Sequence, residues 1–305
     1  MKNTARATFG FLAVIMTATR LLAADGAPAS GAESDRILGS AGKEMPGAVR
    51  RYSWPRTDLQ VDVGGIRVEP PLALGSWAAF HEAGNEVEVM GDLALLGTEV
   101  APVVRALEAG GFEILAIHNH LIGETPRIVY VHYEGKGAAA TLSRGLRAAL
   151  EKSATPLTAS SASSPPPPET DKVFARVQDA LGRRGSMAGR VLQVGVPRAE
   201  AIREGGMEVP PSMGMAESMN FELAGDRVAT TGDFVLTADE VAPVIRALHA
   251  GGVEVTALHS HMLRETPRLF FLHFWGIGTP DAIGGALKAA LSRIAVGPAE
   301  PGPRK

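Results

Sequence analysis

The sequence predicts an α+β fold built twice in tandem, each unit an antiparallel-rich sheet with helices packed on it. Three observations predict it. Gly64 to Gly137 aligns without a gap on Gly205 to Gly278, at a constant offset of 141 residues, so that "GDLALLGTEVAPVVRALEAGG" stands against "GDFVLTADEVAPVIRALHAGG". Within each copy, segments that alternate apolar and polar residues flank a helical one with period 3.6. Between the copies runs "TASSASSPPPPET" at 158–170, where Ser and Ala give flexibility and four prolines favour polyproline II. The expected boundaries are a first repeat at 33–155, a linker at 156–170 and a second repeat at 171–297. Two copies are too few for a solenoid, so the repeats are expected to form a pseudo-dimer.

Residues 1–24 read as a signal peptide, with Lys2 and Arg6 ahead of the apolar core "FGFLAVIM". That core is too short to remain as a membrane span, so a periplasmic or secreted protein without a transmembrane segment is expected. Each repeat then opens with a helix, Asp171–Leu181 and its weaker match Ser34–Gly42. A strand near Val191–Val196 and a hairpin, Asn220–Leu223 with Val228–Leu236, follow. In the next helix Val100, Val103, Val104 and Leu107 fall at i, i+3, i+4 and i+7, as do Val241, Val244, Ile245 and Leu248. Thr98 and Asp239 are the expected N-caps, chosen over Thr237 because the later start keeps Pro102 and Pro243 near the first turn. Glycine pairs at 110–111 and 251–252 end these helices. Two strands come next, the first carrying Phe112, Ile114, Ala116, His118 and His120 on one face. The turn at 123–126 reverses the chain, and helices over Ala139–Leu150 and Pro280–Ser292 close the units. Strand, helix, strand, strand and helix in that order are ferredoxin-like elements.

The two histidine strands hold the candidate site. "AIHNHLIGETPRIVYVHYEG" and "ALHSHMLRETPRLFFLHFWG" place His118, His120 and His132 in register with His259, His261 and His273. Residues i and i+2 share a strand face, and a cross-strand neighbour lies about 5 Å away. A hairpin centred near residue 125 sets His132 opposite His118, so each repeat presents three imidazoles to one side. Three neutral imidazoles suit zinc, copper or iron, and zinc or copper is the expected divalent metal. The competing reading is a histidine set buried for packing, in a non-catalytic module that binds a small envelope ligand or a partner. Asp92 and Asp233, each after a glycine in a strand, are candidates to orient a ligating ring or to mark a bulge. Glu124 and Glu265 with Arg127 and Arg268 flank the turn and either brace it or hold an anion. Glu99 and Glu240 complement a helix dipole. His81 and His249 lack counterparts and are read as incidental.

Composition narrows the rest. With 305 residues, 45% hydrophobic, the chain can bury two cores. A net charge of −3 gives no electrostatic case for nucleic acid. There are no cysteines, so a metal must be held by imidazole and carboxylate. The sequence contains no nucleophile elbow, Walker loop, dinucleotide fingerprint or His-Glu-x-x-His helix. The doubled histidine and Glu-Thr-Pro-Arg pattern, with "EVAPVIRALHAGG", resembles the LppY/LpqO family of bacterial envelope proteins over both repeats. That resemblance implies export and a duplicated domain, and it supplies no activity. The lipobox cysteine of lipoprotein members is missing here, so no lipid anchor is expected.

Overall fold

The computed structural model describes residues 29–83, 86–158 and 166–297. The signal-peptide segment 1–24 and linker residues 159–165 lie outside the described residues. The first half runs α1 (Ala29–Leu38), β1 (Lys43–Met45), β2 (Val49–Pro55), β3 (Val61–Val63), β4 (Ile66–Val68), α2 (Pro70–Ala73), β5 (Gly75–Ala83) and β6 (Glu86–Leu96). It continues with α3 (Gly97–Ala109), β7 (Glu113–His118), β8 (Glu124–Thr125), β9 (Ile128–Gly137) and α4 (Ala139–Leu150). The second half repeats the plan: α5 (Thr170–Leu181), β10 (Ser186–Ala188), β11 (Val191–Pro197), β12 (Arg203–Glu204), β13 (Met207–Glu208), a 3-10 turn (Pro211–Met213) and β14 (Ala216–Ala224). Then follow β15 (Arg227–Leu236), α6 (Ala238–Ala250), β16 (Glu254–His259), β17 (Glu265–Thr266), β18 (Phe270–Gly278) and α7 (Pro280–Leu291).

Each half forms a six-stranded antiparallel sheet, in the orders β1-β2-β5-β6-β9-β7 and β10-β11-β14-β15-β18-β16. Strand β9 lies between β6 and β7, and α3 makes the crossover that joins those two. Helices cover one face of each sheet over its own core, with Leu93, Val103, Leu107, Val131 and Leu146 in the first and Phe234, Val244, Leu248, Leu272 and Leu287 in the second. The opposite faces serve the contact between halves. Val49, Ala79, Met90 and Leu115 pack there with Met213, Met215, Val235 and Phe271. Each half also lends an arm to the other. The carbonyls of Pro71 and Leu72 accept from Gln193 and Asn220, each at 2.9 Å, while Arg51 donates to the Ser212 carbonyl at 2.9 Å. Among the described residues no helix is long and apolar enough to cross a membrane.

Four expectations change. Helix α1 covers Ala29–Leu38 rather than Ser34–Gly42, because Gly39 turns left-handed at φ +68° and its N–H closes on the Asp35 carbonyl. Helices α3 and α6 begin at Gly97 and Ala238, two residues earlier than caps at Thr98 and Asp239 would give. Glu99 and Glu240 decide this: their carboxylates accept from the Leu96 and Thr237 amides at 2.8 and 2.7 Å. Pro102 and Pro243 therefore sit inside their helices. The turn at 123–126 is more than a reversal, since Glu124–Thr125 pairs with β3 in a separate three-stranded sheet, as Glu265–Thr266 does with β12. Finally, a bulge between Ile114 and Ala116 breaks the expected common face. Phe112 and Ile114 join the helix-side core, whereas Leu115 joins the contact between halves. One extra residue thus lets a single strand serve a packed core at one end and a polar site at the other.

Candidate functional site

The bulges also set the histidines. His132 lies opposite Ala116, and His118 lies opposite Tyr130, so the pairing is two residues from the expected register. An even slip preserves the face, because side chains alternate with period 2. The three rings of the first repeat therefore gather as expected, with centroids 5.0 Å apart for His118–His120 and His118–His132 and 6.4 Å for His120–His132. The second repeat matches, at 4.7 Å for His259–His261, 5.1 Å for His259–His273 and 6.2 Å for His261–His273.

Two separate triads were expected, and the fold instead merges them. His118 stacks on His259 at 3.6 Å, His120 on His273 at 3.8 Å and His132 on His261 at 3.6 Å. The first pair joins equivalent residues and so lies on the pseudo-twofold axis, and the other two are mates across it. Tyr130 caps His120 at 3.4 Å, and its counterpart Phe271 caps His261 at 3.6 Å. Asn119 and Thr256 stitch the two histidine strands together, the amide donating to the Thr256 carbonyl at 3.1 Å and the hydroxyl to the His120 carbonyl at 2.5 Å.

The polar atoms of this cluster are buried without partners. They include Nε2 of all six histidines, Nδ1 of His118, Oδ1 of Asp92 and Oδ1 of Asp233. Each such atom costs about 1–3 kcal/mol if it stays unsatisfied. Asp92 Oδ2 stands 3.6 Å from His132 Nε2 and 3.7 Å from His120 Nε2, and Asp233 Oδ1 stands 3.9 Å from His273 Nε2. Both aspartates lie in regular pairing within β6 and β15, not at a bulge. The glycine before each is needed: a β-carbon at Gly91 would strike Tyr133, and one at Gly232 would strike Phe274. His273 Nδ1 lies 3.1 Å from the Gly232 carbonyl, which fixes its proton there and leaves Nε2 with a free lone pair.

Burial holds all six imidazoles neutral, with the neighbouring rings adding repulsion for most of them. His259 is pushed down to about 4 by burial, and the others fall further. Burial lifts Asp92 to about 8 against the pull of Arg51, and it lifts Asp233 with Asp92 adding to the rise. Neutral imidazoles are the ligating form, and a divalent cation would draw the carboxyls back to their charged state. Nitrogens of His118, His120 and His132 lie within 4.8 Å of one another, as do those of His118, His259, His261 and His273. A tetrahedral site with bonds of about 2.0–2.1 Å needs nitrogens about 3.3 Å apart, so ligation takes modest ring rotation.

The other candidates make bracing contacts around the turns. Glu265 Oε1 accepts from the Leu269 amide at 3.0 Å, and its Oε2 accepts from Arg268 at 3.2 Å, which is the bracing arrangement. Glu124 accepts from the Ile128 amide at 3.3 Å, while Arg127 is exposed. Among the described residues neither arginine makes a hydrogen bond to a histidine; Arg268 bonds the Ser260 hydroxyl at 2.9 Å. Glu99 and Glu240 do more than complement a dipole, since each pairs with a buried arginine, Arg56 at 2.7 Å and Arg198 at 2.9 Å. Sequence reasoning passed over those arginines because they align only across a one-residue gap before Gly64. It also missed Arg51 and Trp77, which line a cavity of about 630 Å³ whose wall includes His120, His132, His261 and His273. Nothing in the spacing of Arg51 or Trp77 signals that role.

A family model described as "Domain of Unknown Function (DUF1259)" matches twice, over residues 32–152 and 175–293. No curated protein matches the chain. Two solved structures align at low similarity. One is a trimeric bacterial microcompartment shell protein, PduB, at 14% identity over 83% of this chain and 89% of that one, with a TM-score of 0.19. The other is the ethanolamine utilization protein EutL from Leptotrichia buccalis C-1013-b, at 11% identity over 83% and 94%, with a TM-score of 0.18.

Proposed function

The chain belongs to the DUF1259 family, whose domain it carries twice, and from that premise we propose an exported protein that holds a divalent metal, zinc or copper, between its repeats. One observation carries the reading: six imidazoles meet in one cluster with their Nε2 atoms buried and unpartnered. His118 is central, because it belongs to both ligating sets and both its ring nitrogens lack partners. Imidazole donors without thiolate suit zinc and copper(II), and Asp92 and Asp233, 3.6–3.9 Å from the Nε2 atoms, are placed to join the ligand set. Export rests on the basic start and apolar core of residues 1–24 and on the resemblance to LppY/LpqO envelope proteins. Fractionation of the host should recover a shortened chain outside the cytoplasm; full-length protein in the cytosol would defeat that part.

Metal analysis of protein purified without a histidine tag tests the site. Stoichiometric zinc or copper, lost from the double variant His118→Ala/His120→Ala while the fold persists, is the expected result. A second reading draws on the ring stacking at 3.6–3.8 Å between repeats. There the histidines are a neutral packed layer that joins the halves of a non-catalytic ligand-binding module. Metal-free protein whose melting temperature ignores both chelator and added zinc would select it.

A further inference from the structure

Next to the histidines, the cavity between the sheets is built unequally by the two repeats. One row of cross-strand partners in the first sheet reads Ser53, Trp77, Asp92, His132. The matching row in the second reads Gly195, Ser218, Asp233, His273. The first repeat thus puts an indole where the second has a hydroxymethyl group. Beside Trp77 stands Arg51, its guanidinium carbon 4.0 Å from the indole centroid. Arg51 has diverged too: its counterpart Gln193 makes the same kind of arm contact, to the Pro71 carbonyl, with no charge.

Arg51 is a partly buried cation without a carboxylate partner. Its Nη1 donates to the Ser212 carbonyl, and no ion pair among the described residues includes it. The nearest carboxyl that acts on it is Asp92, two strands along the row. Desolvation lowers the guanidinium to about 10, the cost of burying a charge with so little compensation. A planar guanidinium fixed against an indole presents its remaining N–H groups as a fork that fits a carboxylate. The opposite wall carries Ser218 in place of an indole, and the lining mixes Met45, Met90 and Met215 with hydroxyl and imidazole groups. A polyanion would need several cations, whereas one arginine stacked on an indole, with methionines nearby, matches one carboxylate on a body that is apolar at that end. Two strand spacings separate Trp77 from His132, about 10 Å in all. That is the length of a small aryl acid.

We propose that this cavity binds a small organic carboxylate with an apolar or aromatic body, its carboxylate on Arg51 and its body along the Trp77–Asp92 row toward the histidines. The proposal does not require metal in the cluster, so it is tested on chelator-treated full-length mature protein. The probes are benzoate and 3-phenylpropanoate, with benzyl alcohol and inorganic phosphate as controls, followed by calorimetry and tryptophan fluorescence. At least one aryl acid should bind saturably and change the emission, and neither control should compete. Arg51→Gln, which copies the residue of the second repeat, should keep the fold and weaken binding by about tenfold or more. Ser218→Trp should fill the chamber and abolish binding with Arg51 intact. The idea is overturned by no binding of either acid, by equal binding of benzyl alcohol or phosphate, or by affinity that survives both substitutions.

Discussion

At the scale of single residues, the histidines and acids of this chain are defined by what burial denies them. His118 and His259 face each other on the pseudo-axis, so a change at His118 touches both ligating sets. Substituting His118→Ala should therefore reduce metal content more than His81→Ala, which removes a ring outside the cluster, and elemental analysis of the two variants compares them. Glu222 offers a separate test away from the site. Its Oε2 accepts from the Glu69 amide at 3.0 Å, and burial lifts it from 4.5 to about 8, with the Glu69 charge adding and Arg190 opposing. A raised acid binds its proton more tightly in the fold than in the unfolded chain. The folded state then carries the extra proton between pH 4.5 and 8, and stability falls as pH rises through that window. Glu222→Gln keeps an acceptor for the Glu69 amide and removes the titration. Its unfolding free energy in denaturant melts should match the parent near pH 4 and exceed it at pH 8, by no more than about 1.4 kcal/mol per pH unit crossed. A constant difference across the range would assign the effect to packing instead.

Among the elements, helices α3 and α6 show how a buried ion pair outranks local propensity. Arg56 is fully buried and donates to Glu99 at 2.7 Å, Asp58 at 2.9 Å and the Ala94 carbonyl at 2.8 Å. Glu99 also accepts from the Ala154 amide at 2.8 Å, tying the helix start to the end of the repeat. Arg198 and Glu240 reproduce the lock, with the Ala295 amide at 2.8 Å. Removing the Glu99 charge leaves the buried cation with only the part-exposed Asp58 carboxylate, so Glu99→Gln should cost up to about 3–5 kcal/mol in denaturant melts. Asp58→Asn should cost clearly less, because that carboxylate is 23% exposed and Glu99 still neutralises the arginine. Equal losses would contradict the ranking. The strand bulges belong to the same scale: each inserts one residue, and that residue moves the histidines off the helix-side core and onto the shared face.

For the whole molecule, the contact between repeats and the candidate site are one surface. Ring stacking, the exchanged arms and the shared apolar cluster all lie on the faces away from the helices. A second repeat expressed alone, residues 171–297, would expose Phe271, Met262 and three histidines to water. It should self-associate, with His259 meeting its own copy as it meets His118 here, and sedimentation should report a dimer or larger species. A stable, soluble monomer would show that the histidine face does not need a partner. If metal occupies the cluster it also clamps the halves, so chelation should lower the melting temperature of the intact chain by mass action.

The amino-acid sequence by itself determined the duplication, the α+β class, most element positions and the gathering of three histidines on one side of each repeat. These follow from short-range rules: a gapless offset marks the repeat, period 3.6 marks the helices, and the i, i+2 spacing survives an even slip of register. Tertiary structure alone decided that the two triads form a single six-ring cluster, that buried Arg56 and Arg198 draw α3 and α6 back to an earlier start, and that Arg51 and Trp77 make one wall of the cavity unlike the other. Those outcomes depend on contacts between residues far apart in the chain. A periodicity reports which face a side chain takes, and it carries no information about which other face will be packed against it.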